Sequence, residues 1–363
     1  MKYVSLIFLA LTHYSAQASN NTLVYNDPVD DDNGNGSLIY PQRHDFQSGD
    51  LDLTSLAIKQ ESDGYWFTAE LKKNIRNPAQ ATTDSGPEPL KEFARKGFYN
   101  FNIDIYLDQD RVKGSGNIFT LPGRQVAIAA DYAWERAVIL TPRPEQMRSL
   151  LIDELTQQYP ASSAEIISDK INAMIYFPDQ IKVRGKSVSF FVPQQYMGMT
   201  KPDDWSITAF VTGAQTSIAN NVSLLSAATP NINDLELGVM QVTYGRPANN
   251  FGYRGKEKPS PVVDLLATTQ AEQIKQLAQN PVRLTGVASK PSSTQANAWP
   301  AESFAEHFGA IPAPVTPADM MHKPAVETST IAQRIETLQK LFDSHLITQD
   351  EYQQQRQRIL NEL

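Results

Sequence analysis

Short segments of alternating apolar and polar residues occur along most of the chain. Residues 65–71 alternate in this way directly after an Asp-Gly turn, and residues 51–56 before the turn carry further apolar positions, which predicts a β-hairpin. Within residues 98–107, every second residue from Phe101 to Leu107 is apolar. This alternation predicts a strand with one side against a core and a polar side facing away from it.

Further strands are predicted between turns that contain glycine or proline. They lie at residues 125–130, 137–140, 180–183, 187–192, 206–212 and 237–243. Helical periodicity predicts helices at residues 144–158, 161–171 and 269–278. Many short strands with few helices, together with 23 prolines and 18 glycines, indicate a mainly β fold, an antiparallel β-sandwich with inserted helices.

The two ends of the chain differ from this pattern. Residues 1–18 combine a lysine, an apolar stretch and an Ala-Gln-Ala site, which predicts a signal peptide cleaved before Ser19. Residues 281–328 are rich in proline, alanine, serine and threonine, which predicts a linker without a packed core. In residues 329–363, helical periodicity and a capping box that begins at Thr348 predict an α-helical hairpin. The sandwich is therefore assigned to residues 19–280.

Composition narrows the classes of site and partner. The absence of cysteine excludes disulfides, thiolate catalysis and thiolate metal sites. Export of a large domain without disulfides favours the periplasm, with the extracellular medium as the alternative. No segment after the leader has the length of apolar sequence that a membrane span needs. The formal charge of -8, from 32 basic and 40 acidic residues, opposes binding to nucleic acid or anionic lipid and favours neutral partners.

Two acidic segments are candidates for cation binding. Residues 26–41 concentrate carboxylates and amides around two glycines, which permit the positive φ angles of a tight loop, and these hard oxygen ligands suit calcium. A second acidic group follows a predicted strand, with Asp104 upstream of it. The predicted calcium ligands are Asp27, Asp30, Asp31, Asp32, Asn33, Asp108 and Asp110. The alternative for residues 26–41 is a solvated acidic turn that binds no ion, because clusters of Asp, Asn and Gly also mark ordinary loops. The spacing of the acidic residues is not that of an EF-hand.

Six segments, in the same order along the chain, resemble the C-terminal binding module of glucodextranase, a DOMON-like β-sandwich. They are residues 26–41, 49–53, 102–108, 121–124, 133–134 and 261–266. The resemblance implies a non-catalytic carbohydrate-binding module with an α-glucan as its ligand. Residues 35–37 and 250–253 depart from the family pattern.

A carbohydrate site needs flat aromatic rings against the apolar faces of the sugar and polar groups at its rim. Trp134 and Trp205 each lie beside acidic residues, so we expect them at the surface as ligand contacts. Trp66 lies in an apolar strand and is expected in the core. Arg124 follows a Pro-Gly turn, where it either hydrogen-bonds the ligand or supports the neighbouring acidic loop.

The C-terminal segment resembles a second family, the short C-terminal domain called SHOCT. The resemblance is carried by Leu346, Ile347, Thr348, Glu351 and Tyr352. It implies a homo-oligomer or a contact with a protein partner through residues 329–363. An alternative function follows, that of an envelope structural or assembly protein that docks a protein partner through its helical tail.

Catalysis and haem binding are weighed against simple binding. Glycoside hydrolysis needs a carboxyl group whose pKa is raised by burial. The acidic groups of this chain are expected to be solvated at turn tips, so we do not expect an enzyme. A haem site would need His44 together with a methionine ligand.

Overall fold

A computed structural model describes residues 22–43, 46–78, 95–159, 162–214, 238–247 and 250–289, together with residues 353 and 356. The predicted signal peptide, most of the predicted linker and nearly all of the predicted C-terminal hairpin lie outside the described residues. His44, the candidate haem ligand, lies outside them as well.

Sixteen strands and four α-helices are assigned within the described residues. In chain order the strands are β1 (Thr22–Asn26), β2 (Leu38–Ile39), β3 (Leu53–Gln60), β4 (Gly64–Leu71), β5 (Phe101–Asp108), β6 (Ala127–Ile128), β7 (Arg136–Leu140), β8 (Ile175–Tyr176), β9 (Ile181–Arg184), β10 (Ser187–Pro193), β11 (Ser206–Gly213), β12 (Val242–Tyr244), β13 (Phe251–Tyr253), β14 (Val262–Leu265), β15 (Arg283–Leu284) and β16 (Val287–Ala288). The helices are α1 (Pro144–Gln158), α2 (Ala164–Met174), α3 (Gln194–Met197) and α4 (Gln270–Leu277).

Two large sheets make up the sandwich. The first has the order β1-β3-β4-β10-β9, and the second has the order β14-β11-β5-β7-β8, with β16 also paired to β11. All of these pairs are antiparallel except β7 with β8. The predicted mainly β fold is therefore confirmed. The hairpin predicted around the Asp-Gly turn is the β3–β4 pair, in which Ile58 lies opposite Phe67.

The sandwich core lies between the facing sides of the two sheets. It contains Leu56 and Phe67 from the first sheet and Ile103, Ile105 and Val211 from the second. Each of these side chains is fully buried. Because strand side chains alternate between faces, the apolar positions of each strand meet those of the opposite sheet.

A second core covers the other face of the second sheet. Tyr106 and Phe210 pack there with Leu151 of α1 and Ile167 of α2. As a result all eight residues of β5 are buried, and the prediction that one side of this strand lies away from a core is wrong. The helices that interrupt the strands in sequence supply this second apolar layer.

The structure also corrects two boundaries. Helix α2 begins after Ser163, whose hydroxyl accepts a hydrogen bond from the Ile166 amide as an N-cap. The beginning of the segment predicted as linker belongs to the sheets, because β15 pairs with β6 and β16 pairs with β11. Proline content alone does not exclude short paired strands when the neighbouring edges offer free backbone groups.

Candidate functional site

The first acidic cluster consists of Asp27, Asp31 and Asp264. Asp27 directly follows β1, Asp31 lies in the turn after it, and Asp264 lies within β14. One carboxylate oxygen from each residue can be chosen so that all three lie within 4.8 Å of one another, and all three residues are buried. The sequence predicted Asp27 and Asp31 as ligands but not Asp264.

Several oxygens of this cluster are buried without a hydrogen-bond partner among the residues that the structure describes. Both carboxylate oxygens of Asp31 are in this state, as are Oδ2 of Asp27 and Oδ1 of Asp264. The remaining oxygens accept backbone hydrogen bonds, Asp27 Oδ1 from Ala267 N at 2.7 Å and Asp264 Oδ2 from Leu53 N at 2.6 Å. Buried oxygens without a donor are costly, which points to a cation or protons among them.

Burial and mutual repulsion raise the pKa values of these carboxyl groups. Desolvation, with repulsion from Asp31 and Asp52, raises the pKa of Asp27 to about 9. Desolvation and repulsion from Asp52 raise the pKa of Asp31 to about 7. The pKa of Asp264 is raised well above its ordinary value for the same reasons. The expectation that the acidic turn is solvated is therefore wrong.

The geometry of the first cluster fits a calcium ion. Oxygens that share one calcium at about 2.4 Å can be no more than roughly 4.8 Å apart, as these three are. Asp52 is fully buried nearby, and one of its oxygens, Oδ1, has no hydrogen-bond partner within the described part of the chain. The donor set consists of hard carboxylate oxygens, the ligands that calcium prefers.

The other predicted ligands in the same turn have different surroundings. Asp30 has a side chain that is 76% exposed and forms an ion pair with Lys72. Asp32 is buried, and its carboxylate accepts hydrogen bonds from the Tyr40 hydroxyl and, at 2.6 Å, from Gly49 N. Asn33 is partly buried, and its Oδ1 has no hydrogen-bond partner. The structure thus places Asp27 and Asp31 in the cluster, gives Asp32 a role in holding the turn, and places Asp30 at the surface.

The turn that carries Asp31 is held against the rest of the fold by close backbone contacts. Gly34 has a φ of 61°, and its amide donates to the carbonyl of Val263 at 2.8 Å. A Cβ at this position would lie 2.8 Å from the carbonyl oxygen of Val262. The Gln273 amide in α4 donates to the carbonyls of Asp31 and Gly34. Glycine is therefore required here by both backbone conformation and space.

The second acidic cluster consists of Asp108, Asp110 and Glu135. All three are buried, and an oxygen from each lies within 4.8 Å of the others. Glu135 Oε2 accepts from Gln109 N at 2.7 Å, whereas Oε1 is buried and no described residue donates a hydrogen bond to it. Burial and repulsion from the two aspartates raise the pKa of Glu135 to about 8, and desolvation raises that of Asp108 to about 7. Here the sequence predicted both aspartates but not Glu135.

A glycine next to the second cluster provides a test of its packing. Gly116 has a φ of +80°, and a Cβ there would lie 2.5 Å from Glu135 Oε1 and 2.8 Å from the carbonyl oxygen of Trp134. We expect Gly116→Ala to lower the free energy of unfolding by about 2 to 4 kcal/mol, from backbone strain and the clash together. The measurement is urea unfolding.

Gly114→Ala is the matched control. Gly114 has a similar φ of +78°, but a Cβ there meets no atom of the described residues within 4 Å. In this variant the free energy of unfolding should fall only by the contribution of backbone conformation, about 1 kcal/mol. Equal losses for the two variants would contradict the close packing of Glu135 against Gly116.

The predicted ligand contacts Trp134, Trp205 and Arg124 are in the interior. Their exposed fractions are 2%, 0% and 0%, so the expected surface position of the two tryptophans is wrong. Trp134 packs on Tyr106 with ring centroids 5.2 Å apart, and Trp205 packs on Tyr65 at 5.4 Å. Both indole N–H groups have internal acceptors, at 2.9 Å for Trp134 and 3.0 Å for Trp205. Neighbouring acidic residues therefore did not indicate where these side chains point.

Arg124 forms a buried ion pair rather than a contact with solvent. Its Nε lies 2.8 Å from Asp104 Oδ2, and both side chains are fully buried. Arg124 thus supports strand β5 through Asp104, which is neither the ligand contact nor the support of the acidic loop that the sequence predicted. Conversely, Trp66, expected in the core, is partly exposed, and Lys182 Nζ lies 4.0 Å from its ring centroid.

Comparisons with known proteins agree with this architecture. A search of curated proteins found no significant match. No helix in the described part of the chain is long and apolar enough to cross a membrane. The family model of the short C-terminal domain, SHOCT, matches residues 333–360. The family model described as the C-terminal binding-module, SLH-like, of glucodextranase matches residues 23–288. The chain therefore belongs to the family of the glucodextranase C-terminal binding module.

Proposed function

We propose that this protein is an exported, non-catalytic carbohydrate-binding module that recognises a neutral glycan of the α-glucan type and holds calcium in its two acidic clusters. The observation that carries the proposal is the match to a binding-module family over residues 23–288. The net charge of -8 supports a neutral ligand, because it opposes binding to polyanions.

Calcium in the clusters is supported by buried oxygens that lack donors. In the first cluster the ligands would be Asp27, Asp31 and Asp264, which join the turn after β1 to a strand of the second sheet. In the second cluster they would be Asp108, Asp110 and Glu135. A calcium ion at each position would offset two of the three negative charges of the cluster and fix distant segments to each other, so its role is structural.

Burial also supports binding rather than hydrolysis. A glycosidase needs two carboxyl groups that flank the scissile bond of a substrate in a cleft. The raised pKa values in both clusters are in the range that a general acid needs. The expectation that these carboxyl groups are solvated can therefore no longer serve as the argument against catalysis. However, all six carboxylates of the clusters are buried, which leaves no room for a glycosidic bond between them.

Titration calorimetry of the mature protein against a panel of glycans tests the proposal. The panel contains maltohexaose, isomaltohexaose, laminarihexaose and cellohexaose, and chromogenic glucosides are incubated in parallel. We expect binding of an α-linked member and no release of the chromophore. Failure to bind any member of the panel would overturn the carbohydrate-binding function, and turnover of a glucoside would overturn its non-catalytic character.

The match of SHOCT to residues 333–360 favours the second candidate, an envelope assembly protein with a protein partner. In that case no glycan of the panel binds, and deletion of residues 329–363 converts an oligomer into a monomer in light-scattering measurements. Binding of a glycan with the same affinity by the full and the shortened chain supports the first candidate instead.

A further inference from the structure

A cleft of about 640 Å³ lies beside the helical layer, between α1, the end of α2 and the short helix α3. This volume is in the range of known small-molecule sites. The residues that carry the argument are Arg136, Arg148, Asn172, Tyr176, Phe177 and Tyr196, which all line the cleft. None of the residues predicted as ligand contacts lines it.

Two tyrosines form a fixed aromatic wall of the cleft. The ring centroids of Tyr176 and Tyr196 lie 5.2 Å apart. The Tyr196 hydroxyl donates to the carbonyl of Met174 at 2.6 Å or of Ala137 at 2.8 Å, and it accepts from Ala137 N at 3.2 Å. These bonds tie α3 to β7 and to the end of α2. Tyr176 is only partly buried, so its ring can contact a ligand. Because the ring is already held in place by Tyr196, ligand binding does not have to order it.

The polar groups of the cleft are held in position as well. Arg148 in α1 donates to Asn172 Oδ1 at 2.9 Å and to the Ser168 hydroxyl at 2.8 Å, both in α2. Arg136 in β7 donates to the carbonyl of Tyr196 at 3.1 Å. Arg136 also donates to the carbonyl of Glu135 at 3.0 Å, so its role is to hold Tyr196 in place, whereas the planar guanidinium group of Arg148 is fixed in a defined direction at the cleft, as recognition of hydroxyl pairs requires.

The charges of the lining indicate a neutral ligand. Besides its two arginines the cleft is lined by Glu145 and Asp179, both at exposed positions. Lys96 lies beside them, 3.8 Å from Glu145 and 3.0 Å from the carbonyl oxygen of Asp179, so charges of both signs surround the cleft. An anionic ligand would meet the two carboxylates, and a cationic ligand would meet the two guanidinium groups. A hydroxyl-rich molecule with apolar ring faces matches this combination of donors, acceptors and aromatic surface.

We infer that this cleft is the glycan-binding site and that it accommodates a short segment of a neutral oligosaccharide, stacked on Tyr176 and hydrogen-bonded by Arg148. The inference rests on the proposed carbohydrate-binding function. It assigns that function to the helical side of the fold, away from the outer face of the five-stranded sheet where Trp66 lies.

The test compares variants by titration calorimetry with the panel oligosaccharide that the wild type binds, maltohexaose being the expected one. Tyr176→Ala removes the stacking ring, and Ala173→Trp places a large side chain at an exposed lining position. Each is expected to weaken binding at least tenfold. Tyr244→Ala is the matched control, because Tyr244 is 73% exposed and does not line the cleft, and it should bind as the wild type does.

The outcomes separate this inference from the function on which it rests. If the wild type binds a glycan and Ala173→Trp binds it equally well, the cleft is not the site, although the carbohydrate-binding function stands. If the wild type binds nothing in the panel, the function itself fails. Should Tyr176→Ala not fold, as judged by circular dichroism, Ala173→Trp alone decides. Tighter binding of oligogalacturonate than of the neutral oligosaccharide would overturn the assignment of a neutral ligand.

Discussion

Removal of calcium with a chelator is expected to lower the midpoint of thermal unfolding strongly near pH 8 and much less near pH 5.5. A ligand that binds only the folded state at a thousand times its Kd adds about 4 kcal/mol to stability, which corresponds to roughly 10 °C for a domain of this size. The donors are the three buried carboxylates of the first cluster and the three of the second. Differential scanning calorimetry in calcium and in EDTA measures the difference.

The pH dependence follows from the raised pKa values. Asp27 has a pKa of about 9 in the folded protein, Asp31 about 7 and Glu135 about 8, all above the values of unfolded chains. A raised folded-state pKa favours folding while the group is protonated, so this contribution is complete below about pH 4, declines above that pH as the unfolded chain ionises, and is fully lost once the pH has passed the folded-state values of about 7 to 9. Metal-free protein should therefore become less stable over that range. Calcium must displace these protons, so its stabilising effect grows with pH.

Neighbouring aspartates provide a matched pair of variants for this prediction. Asp31→Asn removes a carboxylate whose two buried oxygens have no hydrogen-bond partner among the described residues, and we expect it to abolish the part of the calcium response that comes from the first cluster. Asp30→Asn changes the adjacent residue, which faces solvent and pairs with Lys72, and it should respond as the wild type does. A full calcium response in Asp31→Asn would contradict the assignment of the first cluster as a calcium site.

Local sequence patterns predicted the elements that depend on local interactions. The alternation in residues 65–71 and the helical periodicity of residues 144–158 correspond to β4 and α1. The same alternation contained information on Trp66 that the prediction did not use. Tyr65, Phe67, Ala69 and Leu71 are buried on one face of β4, so Trp66 must lie on the other.

The completed clusters could not be predicted from the sequence in the same way. Asp264 and Glu135 join the predicted aspartates only because of the way strands and turns are brought together across the fold. Nothing near Asp264 in sequence marks it as a partner of Asp31, since a single polar residue in an apolar strand is also consistent with a solvated edge. The burial of Asp104 and Tyr106 likewise depends on helices that follow β5 in the chain and cover its second face.

The second large effect is expected at the ion pair beneath those helices. Arg124 donates to both carboxylate oxygens of Asp104, at 2.8 and 3.2 Å, and the Tyr106 hydroxyl donates to the same carboxylate at 3.1 Å. Arg124→Met removes the cation, and the Asp104 carboxylate stays buried away from water without this counter-charge. We expect a loss of about 3 to 5 kcal/mol in the free energy of unfolding, measured by urea titration with the fluorescence of the buried tryptophans.

The expected loss of stability is large because the Arg124–Asp104 ion pair is buried, and not simply because an ion pair is broken. Lys113 and Asp131 form a pair at 2.7 Å whose side chains are 77% and 54% exposed, so Lys113→Met should cost less than 1 kcal/mol. The double variant with Arg124→Met and Asp104→Leu removes both charges, and it should be more stable than Arg124→Met alone because no uncompensated carboxylate stays in the core. A double variant that is less stable than the single one would show that the lost packing of Arg124, and not the stranded charge of Asp104, dominates the effect.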